Sequence, residues 1–112
     1  MILTELYSIL DSVLEGKVFY GSNVYDNDDN ATMPFIVYQE ISKRPSGFAD
    51  NHARWYRSSV QITLVTKAKN IALEGKLEKT LLGKDLAFSL FSESRNSDKS
   101  MSRVYEIYME EI

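Results

Sequence analysis

Few residues in this chain have the type and spacing for chemistry. The one histidine, His52, stands beside Asp50, Asn51 and Arg54, and an imidazole in such company could act as a general base. Base catalysis also needs a reacting partner and an orienting group at fixed distance, and no pattern supplies either. His52 therefore reads as a loop histidine. Asp26, Asp28 and Asn30 follow the D-x-D-x-N order that opens a calcium loop. The remainder of such a loop is missing: Ala31 stands where a glycine is required, and Val37 where a bidentate glutamate belongs. The stretch reads as a solvated acidic turn. Glu106, Glu110 and Glu111 read as a solvated strand edge, since paired carboxylates do acid–base work only when buried in a cleft. No nucleophile elbow, phosphate-binding loop or dinucleotide fingerprint is present. With one histidine and no cysteine, disulfides and thiolate metal sites are excluded. The expectation is of no catalytic residue, no metal and no cofactor.

Composition narrows the class. At 112 residues, 44% hydrophobic and 26% charged, the chain has the profile of one ordinary folded domain spanning residues 1–112. The net charge of −3 argues against a generally cationic nucleic-acid binder. No basic stretch followed by an apolar run opens the chain, and no run approaches a membrane span, so no signal peptide and no membrane partner are expected.

The elements follow from periodicity. Leu3, Leu6, Leu10 and Val13/Leu14 recur at helical steps, predicting a helix over 2–15 with Thr4 as a possible cap and Gly16 as its stop. A short strand is expected at 17–20. Residues 34–41 form a branched and aromatic strand, a polar connection is expected over 43–54, and a second strand over 55–66. In that strand Tyr56, Val60, Ile62 and Leu64 should face the helices, with Arg57, Ser59, Gln61 and Thr63 turned away. A second helix is expected over 67–84, capped by Asn70, striped by Leu73, Leu77 and Leu81 and stopped at Gly83. Strands at 86–92 and 101–112 close the chain around a polar loop at 93–100, with Tyr105, Ile107 and Met109 on one face and Val104 and Tyr108 on the other. The fold class is α+β: a mostly antiparallel sheet with a long β-hairpin flanked by two helices, in the order α-β-β-β-α-β-β.

The hairpin arm stands apart in charge. Residues 43–57 hold four basic groups against Asp50, a net of +3, while the rest of the chain holds nine basic and fifteen acidic groups, a net of −6. Three readings compete: phosphate contact and base stacking, a protein-contact arm, or a plain hairpin charged for solubility. The acidic body would repel nucleic acid over most of its surface, which favours the protein contact. Lys43, Arg44, Phe48, Arg54, Trp55 and Arg57 are the candidate contact residues, although Trp55 could equally be core at the strand's base. The tip, residues 43–52, is expected to be mobile until a partner orders it.

The succession of a leading amphipathic helix, VFYG at 18–21, PFIVYQEI at 34–41, a polar arm and VQITLVTK at 60–67 resembles the tail-completion, or tail-terminator, proteins of long-tailed bacteriophages and prophages. The longer C-terminal hairpin and the 26–30 insert depart from that pattern. The resemblance implies a structural virion protein active in head–tail joining. It would assemble as a ring, a hexamer, with copies of itself at the head-proximal end of the tail tube, touching the tube protein and the head-completion or connector protein. It would be made in the host bacterial cytoplasm and end in the virion. The alternative is a nucleic-acid-binding accessory domain that uses the same arm.

Overall fold

Leu6 and Leu10 are fully buried and Val13 nearly so, and that stripe fastens the first helix, α1 (Leu3–Asp11), to the sheet. Thr4 lies inside α1, where its carbonyl accepts from the Ser8 hydroxyl, so it is not the cap. Past the helix, Asp11 accepts from the Gly16 N–H, and Gly16 takes φ +76°, a left-handed conformation that glycine adopts at little cost. The computed structural model describes residues 3–21, 33–49 and 52–111, with the side chains at 46–49, 52–54 and 111 excepted.

The chain continues through β1 (Val18–Tyr20), β2 (Phe35–Ala49), β3 (His52–Thr66), α2 (Ile71–Gly83), β4 (Phe88–Arg95) and β5 (Met101–Glu111). The five strands form one sheet in the order β1-β2-β3-β5-β4, antiparallel except where β1 runs parallel to β2. This is the α+β plan, with the expected order of elements. One face of the sheet presents Ile36, Tyr38, Val60, Ile62, Leu64, Tyr105, Ile107 and Met109 to Leu6, Leu10, Leu77 and Leu81 of the helices. The opposite face has no helix among the described residues and presents half-buried Val37, Gln61, Thr63, Val104 and Glu106 and exposed Tyr108.

α2 starts where its cap is: the Asn70 side chain accepts from the Leu73 N–H at 3.1 Å. The helix ends differently from expectation. Gly83 lies inside the last turn, and Asp85 takes the left-handed conformation at φ 59°. Its N–H bonds the Leu82 carbonyl, while the N–H of buried Leu86 bonds that of Leu81. That is a Schellman closure, in which the Leu86 side chain sealing the helix end matters more than the residue at the turn. β4 begins at Phe88 and runs through Arg95, so the first three residues of the expected polar loop are strand, and the turn that remains is held by Asn96 and Ser100.

Two further expectations are corrected. Where it is described, at 43–49 and 52–54, the expected polar connection is a two-stranded ribbon, paired from Ser42↔Ser59 to Ala49↔His52. Pro45 is tolerated there because, among the described residues, no strand lies on the outer side of β2 beyond β1 to need its N–H. Tyr56 keeps its parity with Val60 but is 45% exposed, because the ribbon has passed the helices. Nor is β5 an edge: it lies between β3 and β4 as far as Ile107, so Glu106 stands within the sheet, and only the end carrying Glu110 passes beyond β4.

Candidate docking surface

A β-bulge decides which way the ribbon's charges point. Register shifts between Glu40 and Ser42, leaving Ile41 as the extra residue. Before it, the even positions Ile36 and Tyr38 face the core. After it the parity inverts: Ser42 and Arg44 turn to the open face, opposite Ser59 and Arg57, and Lys43 turns to the helix side with its Nζ 5.5 Å from the centre of the Tyr56 ring. Arg44 and Arg57 thus stand directly opposite each other and are both exposed.

β5 supplies the rest of this face. Tyr108 pairs with Ser59, and the Arg57 guanidinium carbon lies 4.3 Å from the centre of the Tyr108 ring. The Tyr108 hydroxyl donates to Glu106, which raises its pKa. A shallow depression of about 530 Å³ is lined by Ile41, Ser42, Arg44, Arg57, Ser59, Glu106 and Tyr108. Trp55 is half-buried, and its indole N–H, shut off from water, finds no acceptor among the described residues.

Of the sequence-derived contact residues, the structure brings together Arg44 and Arg57, sends Lys43 to the other face, and leaves Trp55 next along the ribbon. The side chains of Phe48, Arg54 and His52 lie outside the described residues, as does the Asp26–Asn30 stretch. Ile41 and Tyr108 were missed as members of the surface. The period-two pattern placed Tyr108 on the outer face of β5, but no local signal tells which strand lies next to it.

A second polar cluster was not legible at all. It fastens α2 to the sheet. Buried Tyr105 donates to Glu78 at 3.0 Å and accepts from Arg103 Nε at 2.6 Å. Arg103 also reaches Glu74, Glu78 and Glu93 at 3.4–3.6 Å, and Lys69 bridges Glu74 and Glu93 at 2.8 and 2.7 Å. Burial pushes the Tyr105 hydroxyl up to about 12. Burial opposes the charge on Arg103, but the Tyr105 oxygen and the two helix carboxylates outweigh it and hold the guanidinium above its ordinary value. Hydrogen bonding to Lys69 lowers Glu93. A phenol kept neutral inside a satisfied ion network is fitted to holding a helix and poorly fitted to nucleophilic attack.

Among the described residues no three His, Cys, Asp or Glu side chains converge as metal ligands would, and no helix is long and apolar enough to cross a membrane. No protein-family model matches the chain, and no curated protein matches it.

Proposed function

We propose that this protein is a structural joining component of a long phage tail, one that assembles as a ring on the tail tube and joins it to the head connector. The observation that carries the reading is the ribbon. β2 and β3 run on past the helices, and β3 leaves β5 behind after the Tyr56↔Glu111 pair. Arg44, Trp55 and Arg57, the last still opposite Glu110 of β5, stand on strands that belong to no helix-covered core. A two-stranded ribbon gains little stability by itself, so its residues are best explained by a surface that it lies on. The order α-β-β-β-α-β-β, on which the resemblance to tail-completion proteins rests, agrees. The +3 arm and −6 body suit a heterologous contact, in which one surface of each subunit meets a different surface of the next and the ring closes. The mechanism is binding and geometry without turnover, carried out in the bacterial cytoplasm and retained in the virion.

The test is tube length. A phage tail-tube protein is polymerised with and without this chain, and the tubes are measured by electron microscopy. Capping shortens them and leaves a ring at one end. Tubes of unchanged length and bare ends would refute the reading. Tight duplex-DNA binding with a steep salt slope would put the nucleic-acid reading in its place.

A further inference from the structure

We infer that the open sheet face at the root of the ribbon is a carboxylate-binding slot occupied by a second copy of this chain, with Arg44 and Arg57 as the clamp and the Tyr108 ring as its floor. The inference rests on the ring reading and names the contact within it. Like charges directly opposite on adjacent strands repel, and here a bulge, which is a built feature of the strand, puts them opposite. An anion seated between the two guanidiniums turns that repulsion into attraction. Among the described residues neither arginine has a carboxylate within ion-pair distance. Glu106, which also lines the depression, is engaged by hydrogen bonding with the Tyr108 hydroxyl rather than by either arginine. Arg57 is held over Tyr108 at 4.3 Å, and Ser42 and Ser59 line the depression with further hydroxyl donors. Arginine and aromatic side chains around a concave centre are the residues that dominate protein interfaces.

Charge complementarity selects the occupant. Outside residues 43–57 the chain carries −6, and residues 3–16 hold Glu5, Asp11 and Glu15 with no basic residue. Glu5 and Glu15 are exposed. A second copy therefore brings its own carboxylates to the slot, whereas a nucleic acid would bring phosphates against an acidic body.

Sedimentation velocity over a range of concentrations tests this on the wild type and on Arg44→Glu, Arg57→Glu and Arg44→Lys, with circular dichroism as the check on folding. The wild type should self-associate, less so in high salt. Each reversal should weaken association by roughly tenfold or more at an unchanged melting temperature, and Arg44→Lys should retain most of it. Association of the reversals at wild-type strength overturns the slot. So does a wild type that stays monomeric at every concentration, or one whose Arg44 is needed only for tube protein or duplex DNA. The tube-length assay separates the two claims. Capping by an Arg44→Glu protein that still associates removes the slot and keeps the ring reading; Arg44-dependent association without capping does the reverse.

Discussion

Tyr105 joins the apolar core to the ion network. Its ring meets Phe88 edge-on at 5.3 Å, and its hydroxyl sits between Arg103 and Glu78. The phenol is protonated in the fold to about pH 12, against 10.0 ordinarily, so the fold binds this proton more tightly than the unfolded chain does. For such a raised value the stabilising contribution is complete below the unfolded pKa and is lost as pH climbs through the folded one. Wild-type stability should therefore fall more steeply between about pH 10 and 12 than that of Tyr105→Phe, which lacks the titrating group. Urea midpoints taken across that interval for both proteins check it, and parallel slopes would show that the hydroxyl is not coupled to folding. Nothing in the sequence foretold this cluster. Its members are spread from Lys69 to Tyr105 over three elements, and only the pairing of β5 with β4 beneath α2 brings Glu93 and Glu74 to the same arginine.

At the scale of elements, legibility followed range. The Asn70 cap and the alternation of β3 are local, decided by residues one to four positions apart, and both are found in the structure. The first helix instead ends at Asp11, short of the expected stop at Gly16, which takes a left-handed turn conformation. The ribbon was misread because Pro45 and Gly47 are turn formers wherever the chain has a choice, and strand pairing with 52–58 removes the choice. The bulge at Ile41 was hidden for the same reason, and with it the fact that Arg44 and not Lys43 shares a face with Arg57. The register of β3 gives a sharp contrast between neighbours. Ile62 is fully buried between Tyr38 and Tyr105, so Ile62→Asp should cost about 4 kcal/mol. Gln61, on the open face, stands between Gln39 and Glu106. Gln61→Asp should cost under about 1 kcal/mol, most of it repulsion from Glu106. Equal losses in chemical denaturation would mean that the two faces are assigned wrongly.

On the scale of the whole molecule, the question is whether the ribbon belongs to the fold or only to its partner. The molecule is elongated, 52 Å along its long axis against 28 and 24 Å across. Each core side chain described lies outside residues 45–56, and Tyr56, at the ribbon's inner end, is nearly half exposed. Trp55 adds little to the monomer's stability, because its sealed N–H without an acceptor costs about 1–3 kcal/mol. Arg44 and Arg57 are paired, so an Asn-Gly turn placed between them in place of residues 45–56 closes the hairpin in its existing register. The shortened protein should fold with a melting temperature within a few degrees of the wild type, since no buried aliphatic side chain is lost. Because it keeps Arg44, Arg57 and Tyr108, it should still self-associate through the slot, but it should cap tail tubes poorly, because the ribbon strands beyond the slot are gone. Thermal melts and the tube-length assay, run on the same preparation, read the two outcomes separately. A fall of more than about 8 °C would make the ribbon part of the core that folds the domain, and normal capping by a stable shortened protein would show that the slot suffices without the ribbon.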